Sequence, residues 1–389
     1  MYTGRTVFAQ LMDLIPRRAF ERCVVRYPSP RQLRTFTCYD QFLCLAFAQL
    51  TYRESLRDIE TCLRALQPKL YHAGLRGRVS RSTLADANET RDWRIYGDFA
   101  QTLIHRARVL YGDAPFAGDV AQTAYAFDAT TIDLCLALFP WARFRRHKAA
   151  VKLHTLLDLR GPIPTVVAIT DGKAADVTLL DGLVFEPGAF YILDRGYTDF
   201  ARLYRITEAL AFFVIRGKRG LDYVRRLSRP VDTTTGLRSD QTIVLCGPKT
   251  ATLYPVPLRR ITYVDRETGQ RFVFLTNNFA LPALQIAQLY KCRWQVELFF
   301  KWIKQHLRIK AFYGTSVNAV KTQIWIAISM YVLVAILKKE HHLKRSLYEL
   351  LQILSVTLFE RVPLSQVVTA FPLQDQMDEL CNQLLLFDL

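Results

Sequence analysis

Fourteen consecutive residues, Ile324 to Leu337, are apolar apart from Ser329. A helix that is apolar all round has no face to give to water, so the chain must wrap it with other elements. The run is shorter than the roughly 18 residues that suggest a membrane span. The expectation is a buried helix in a large core. Composition agrees, since 50% of the 389 residues are hydrophobic and 12% are aromatic, which excludes wholesale disorder. With 17 Gly and 16 Pro, collagen-like and low-complexity classes are excluded as well. At roughly 100–200 residues per domain, the length allows two or three folded units.

The local patterns divide the chain. Residues 1–112 read as a helical N-terminal unit, with a helix opening at Ser80-Arg81-Ser82-Thr83 and running toward Tyr111. The hydroxyls at its start suit an N-cap. Short β-type runs follow. Thr123 to Phe127 delivers Asp128, Lys152 to Leu159 and Thr165 to Thr170 form a hairpin across Arg160-Gly-Pro-Ile-Pro164, and Ala189 to Leu193 delivers Asp194. A helix over Asp199 to Leu210 precedes strands at 212–215, 242–246, 260–264 and 272–276. Pro282 to Leu307 reads as one long helix, and the apolar helix and a helical tail complete the chain.

The long helix carries the chemistry. Tyr290, Arg293, Glu297, Lys301, Lys304 and Arg308 are spaced by 3, 4, 4, 3 and 4 residues, which is one stripe of an α-helix. Leu298, Phe299, Trp302 and Ile303 lie off the stripe and are expected to pack inward. One carboxylate among four cations and a phenol suits a site that binds a metal and a phosphate together, although a solvated face of i,i+4 ion pairs would carry similar residues. Asp128 and Asp194 each end a strand, where an Asp is often only a turn residue or cap. Together with Glu297 they form an oxygen-ligand set of the kind Mg²⁺ takes. Two such ions can activate a hydroxyl and stabilise a leaving oxygen in phosphoryl transfer.

The chain has 52 Lys+Arg against 35 Asp+Glu, a formal charge of +17. That balance favours a polyanionic partner such as nucleic acid. Residues 143–152 (with Lys148 and Lys152), 216–229 and 290–310 carry +5 each, beside the proposed acids. Many Lys and Arg contacts to a phosphate backbone would make binding salt-sensitive. The eight cysteines are scattered without a Cys-x-x-Cys pair, which suggests reduced thiols in a cytosolic protein and no zinc ribbon. Met1 to Phe20 holds four charges and no clean apolar run, unlike a signal peptide. No Gly-Lys-Ser/Thr phosphate loop occurs, which argues against an ATPase. His341-His342 is expected at the surface, and Asp171, Asp176 and Asp181 in loops or caps.

Tyr290-x2-Arg293-x3-Glu297-x6-Lys304 resembles the Tyr-Arg-Glu-Lys signature of bacterial DDE transposases of insertion-sequence family 4. Asp128-Ala-Thr-Thr-Ile and Asp194-Arg-Gly-Tyr are similar to that family's two Asp blocks, as is the stretch Lys148 to Asp176. Tyr52 to Ile59 and Ser80 to Asn88 resemble the helical head of one branch, and the likeness covers about residues 5–340. The resemblance implies an α/β chain with a ribonuclease-H-like (retroviral integrase-like) core at 120–337, interrupted by a β-rich insertion at about 211–280. It implies a helical, DNA-binding N-terminal domain at 1–112 and a helical C-terminal region at 338–389 that could support dimerisation. It implies catalysis and metal ligation by Asp128, Asp194 and Glu297, with two Mg²⁺ ions for which Mn²⁺ can substitute. Tyr290, Arg293 and Lys304 would contact transposon-end phosphates, with Lys301, Arg308, Lys148 and Lys152 as further DNA-binding candidates.

The expected partners are inverted-repeat end DNA, target DNA and a second copy in the synaptic complex, with no membrane. The expected location is the bacterial cytoplasm, at the nucleoid. The expected reaction is cut-and-paste transposition. The alternatives are an inactive or domesticated DNA-binding protein and a ribonuclease-H-like nuclease without strand transfer. None of the five Trp lies in the insertion, where hairpin-forming relatives can use one to hold a flipped base. Tyr223, Tyr254 and Tyr263 are either substitute stacking platforms or ordinary β-sheet aromatics.

Overall fold

The first 112 residues form the helices α1 (Val7–Met12), α2 (Arg17–Arg26), α3 (Cys38–Leu50), α4 (Leu56–Ala65), α5 (Gln67–Leu70), α6 (Arg81–Thr90) and α7 (Arg94–Tyr111). Of these, α1, α3, α4 and α6 open on hydroxyl side-chain caps. The computed structural model describes residues 4–27, 35–75, 77–114, 120–218, 220–306 and 312–369. Thr37 and Asp40 cap α3 reciprocally, while the Ser55 and Ser80 hydroxyls accept from the backbone of Asp58 and Thr83 to start α4 and α6. The stretch expected as one helix from Ser80 to Tyr111 is two. Arg91 turns extended, and Asp92 Oδ1 takes the Arg94 amide at 2.8 Å, which begins α7 afresh.

Strands β1 (Ala124–Leu134), β2 (Arg143–Arg145), β3 (Lys148–Asp158), β4 (Ile163–Asp171) and β5 (Phe190–Leu193) lead to α8 (Phe200–Glu208). Next come β6 (Phe212–Arg216), β7 (Tyr223–Arg229), β8 (Leu237–Leu245), α9 (Pro248–Leu253), β9 (Leu258–Val264) and β10 (Arg271–Thr276). Helices α10 (Ala283–Lys291), α11 (Trp294–Lys301), α12 (Val317–Glu340), α13 (Leu347–Thr357) and α14 (Leu364–Thr369) follow. Two units emerge. Among the described residues, one comprises those up to Gly112, Thr131–Val151 and those from Phe299 onward, and the other those from Asp113 to Thr130 and from Lys152 to Leu298.

The first unit is built on the apolar run. Helix α12 extends beyond it to 24 residues, and nearly every side chain from Ala319 to Leu337 is buried. Its 18-residue window of mean hydropathy 1.8 is long and apolar enough to cross a membrane. Here α3, α6, α7 and α13 cover it instead. Tyr331 of α12 takes the edges of Phe299 and Trp302, with centroids 4.9 and 4.7 Å away. Each such fully buried side chain contributes roughly 1.5–3 kcal/mol.

The second unit is organised by a mixed sheet in which β3, β1, β5, β6, β10, β9, β8 and β7 lie side by side, with β4 on the other edge of β3. Strand β5, Phe-Tyr-Ile-Leu, is wholly buried and runs parallel to both β1 and β6. Such two-sided burial explains its unbroken apolar sequence. Phe127, Leu193 and Ile215 share one cluster with Leu203 and Ile206 of α8, so α8 covers that face.

The strands expected after residue 211 are present, and β7 joins them. They extend the same sheet, because β10 pairs antiparallel with β6 over Val214 to Arg216. Strand β7 is the sheet's outer edge, and Val224 through Ser228 are all exposed. Two-sided exposure erases the alternation that marks a strand in sequence. Tyr254 is no stacking platform, because it is fully buried with its hydroxyl on Thr207 at 2.9 Å. Tyr263 is buried too, and Tyr223 is half-buried beside Arg260.

Candidate active site

Register brings the first two acids together. Parallel pairing of β1 with β5 matches Ala124 through Phe127 to Phe190 through Leu193, and Phe127 faces Leu193. Asp128 and Asp194 each follow that last pair by one residue, on neighbouring chains about 4.8 Å apart. Asp128 does not end its strand, as β1 continues to Leu134. The pairing with β5 is what ends there. Asp194 follows β5 directly and starts a 3₁₀ turn over Arg195–Tyr197.

The helix expected over Pro282 to Leu307 is not continuous. Helix α10 ends at Lys291, and the amides of Arg293, Gln295 and Val296 bond three residues back, to Tyr290, Cys292 and Arg293. Helix α11 follows this tightened turn, and a π-helical turn follows α11 over Trp302–His306. The stripe therefore changes pitch twice. Phe299, Trp302 and Ile303 are buried as expected, but Leu298 is 46% exposed.

Arg293 ties the site together. Its guanidinium donates to Asp128 Oδ2 at 2.9 Å and to Glu297 Oε1. Asp128 Oδ1 accepts from the Ala129 amide at 2.8 Å. The Tyr290 hydroxyl donates to Asp194 Oδ1 at 3.4 Å. The three expected acids are thus linked to two residues of the expected signature, across 165 residues of sequence between Asp128 and Arg293.

Burial pushes the Asp128 carboxyl up to about 6. Arg293 and the Ala129 amide pull it down, and the negative charges of Glu297 and Asp194 push it further up. Burial also raises the Tyr290 phenol, against the pull of Arg293. Burial alone would lower the Arg293 guanidinium, but Tyr290, Glu297 and Asp128 raise it on balance. Clustered perturbed groups of this kind mark candidate functional sites.

The remaining expected DNA-binding residues are distributed differently. Lys152 Nζ is held by Asp176 Oδ1 at 2.9 Å and the Ala174 carbonyl at 2.8 Å, and its side chain is mostly buried. It is a structural ion pair here, not a free basic group. Lys148 is exposed at the start of β3, in the first unit. Lys301 ends α11 exposed, and Lys304 lies half-buried in the π-helical turn; both belong to the first unit. Arg308 lies outside the described residues. Asp171 caps a turn and Asp181 pairs with Arg202 and Arg205, in keeping with loop roles.

In the sequence Tyr197 is only the last residue of the Asp194-Arg-Gly-Tyr block, with no role of its own. Its ring packs on Phe127 with centroids 5.1 Å apart, and its buried hydroxyl has no hydrogen-bond partner among the described residues. Burial first, then Asp128, Asp176 and Asp194, raise its pKa. Its position three residues after Asp194 was the available signal.

The donor set fits a divalent cation. All three groups are hard carboxylate oxygens, and the charges of Asp128 and Asp194 act on the Tyr197 hydroxyl, which has no hydrogen-bond partner among the described residues. Among the described residues, no three acidic, His or Cys side chains are gathered closely enough to hold a metal as they stand. Arg293 lies between two of the acids.

Residues 121–333 match the family model described as "Transposase DDE domain". The chain is 35% identical over 281 residues to a Sinorhizobium fredii protein named as transposase y4zB, covering 72% of this chain and 77% of that one. The chain belongs to the DDE transposases. A Geobacillus stearothermophilus protein, named as a transposase for insertion sequence element IS5377, is 31% identical over 208 residues, 53% of this chain and 54% of that one. Residues 3–76 of this DDE transposase match a "Domain of unknown function (DUF4372)". A solved piggyBac transposase synaptic complex with hairpin DNA aligns with 96% of this chain and 82% of that chain, at 11% identity and TM-score 0.43. As a DDE transposase of an insertion sequence, the protein acts on DNA, and the family's domain is divalent-metal dependent.

Proposed function

We propose that the chain is a cut-and-paste transposase of insertion-sequence family 4, with Tyr290, Arg293, Glu297 and Lys304 as its signature and Asp128, Asp194 and Glu297 as its catalytic acids. One observation carries this reading: the register that aligns Asp128 with Asp194 leads, through Arg293, to Glu297. The strand order supports a ribonuclease-H-like core. Strands β4, β3, β1, β5 and β6 would form its five-stranded sheet, with β5 and β6 parallel to β1. Strands β7 to β10 would be the insertion, and residues 1–112 the end-binding head.

Asp128, Asp194 and Glu297 would hold two Mg²⁺ ions, or Mn²⁺ in their place. Bound there, the ions supply a more nucleophilic hydroxyl and a stabilised leaving oxygen. The chain's own groups orient the DNA. Arg293, Tyr290 and Lys304 fix the phosphates of the transposon end, with Lys301, Arg308 and Lys148 adding charge. Lys152 drops out of this set, because Asp176 already holds it. In the first step water attacks a phosphodiester and a 3′-hydroxyl leaves. In the second that 3′-hydroxyl attacks a target phosphodiester. Each step forms one P–O bond and breaks one, so no external energy source is needed. Two ends must be joined, which calls for a homodimer, working on the nucleoid in the bacterial cytoplasm. The tail proposed to support it lies outside the described residues from 370 onward.

The test combines purified protein, linear DNA bearing the flanking inverted repeats, a supercoiled plasmid and Mg²⁺. Cleaved ends and joined products, both lost in Glu297→Gln, are the expected result. Tight end binding without cleavage in Mg²⁺ or Mn²⁺ would instead identify an inactive DNA-binding protein, and cleavage without joining a nuclease.

A further inference from the structure

Arg293 is bound to two of the acids proposed to hold the metal. Both oxygens of Asp128 are taken, Oδ1 by the Ala129 amide and Oδ2 by Arg293. Glu297 is held by the other arm of the same guanidinium, and the Arg293 side chain is only 15% exposed. A guanidinium keeps its charge at any working pH and matches two carboxylates with its fork. A divalent cation would draw on the same carboxylates and carries the same sign of charge as the guanidinium, so the two occupants oppose each other.

We propose that Arg293 competes with the divalent metal for Asp128 and Glu297. Metal loading then expels the guanidinium, which becomes free to pair with a phosphate of bound DNA. The inference rests on the proposed catalytic roles of Asp128 and Glu297. It adds a coupling: DNA draws Arg293 off the carboxylates and tightens metal binding, and metal does the same for DNA, as linkage requires. Unloaded protein keeps its acids neutralised, and the ion enters readily only when DNA is present.

The experiment measures Mn²⁺ binding to the full chain without DNA, by electron paramagnetic resonance of the free ion and by calorimetry. Arg293→Ala should bind Mn²⁺ roughly tenfold to a hundredfold more tightly than wild type, because charge-assisted bonds no longer have to be broken first. Arg293→Lys keeps the charge but cannot fork between two acids. It should show an intermediate gain, and it provides the comparison if the alanine variant fails to fold. Adding a duplex oligonucleotide should tighten Mn²⁺ binding in wild type by a larger factor than in either variant. Unchanged or weaker Mn²⁺ binding in both folded variants would overturn the competition. Asp128→Asn separates the two levels: if it binds Mn²⁺ as well as wild type, the carboxylate assignment fails and the competition falls with it.

Discussion

Replacing Asp128 with asparagine should make the metal-free protein more stable near neutral pH. The carboxyl ordinarily titrates at 3.8 and is pushed up to about 6, chiefly by burial. The folded state therefore holds this proton more tightly than the unfolded chain does, and ionising the group costs stability. Below pH 4 the cost is absent, between 4 and 6 it grows, and above 6 it is complete. At about 1.4 kcal/mol per pH unit, the gap between the two values amounts to ~3 kcal/mol. The side chain is only 20% exposed, so solvent screens little of it. Asparagine carries no charge, but its one oxygen can serve only the Ala129 amide or Arg293, and its NH2 replaces the other acceptor, so ~3 kcal/mol is an upper value. At about 2.1 cal/mol/K per residue of unfolding entropy, ~3 kcal/mol raises Tm by roughly 4 °C. Urea and thermal unfolding in EDTA, at pH 4 and pH 7.5, would measure it. The gain should be full at the higher pH and nearly vanish at the lower. A stability difference of the same size and sign at both would refute the argument. With saturating Mg²⁺ the order should reverse, since only the wild type gains ligand stabilisation.

Asp194→Asn and Glu297→Gln should each abolish cleavage yet retain end binding, read by gel shift beside the cleavage assay, and normal turnover in either would remove that residue from the site. Lys304→Ala should weaken end binding and lower the slope of log K against log salt by about 1, and an unchanged slope would count against a phosphate contact. Asp240→Ala should destabilise the second unit by about 3–5 kcal/mol, because Arg259, 4% exposed and bonded to both Asp240 oxygens, would keep a buried charge without its partner. Urea unfolding gives that value, and a loss under 1 kcal/mol would show that water reaches the guanidinium.

Much of the candidate site can be read along the chain. Asp128 and Asp194 stand out because each follows a short apolar run, and Glu297 because it is alone among cations at helical spacing. The break at Cys292 is not legible, since Tyr290 to Lys301 has no Pro or Gly to announce a tightened turn. Leu298 lies at the margin of the buried face beside Trp302, where spacing alone does not separate inward from outward. Strand β7 was missed because its Val-Arg-Arg-Leu-Ser is exposed on both faces. Lys152 counts in sequence only as part of a basic window, because its tie to Asp176 lies across the β3–β4 hairpin.

By itself the sequence determined the alternation of helical and strand regions, the cap at Ser80, the burial of the Ile324–Leu337 run and the three candidate acids. These follow from periodicity, side-chain chemistry and neighbours within a few residues, which act before any distant contact forms. Only the tertiary structure decided that Phe127 lies opposite Leu193, and that one guanidinium spans Asp128 and Glu297. Register is chosen by which side chains two buried faces can bury together, and an ion pair 165 residues long in sequence depends on that choice.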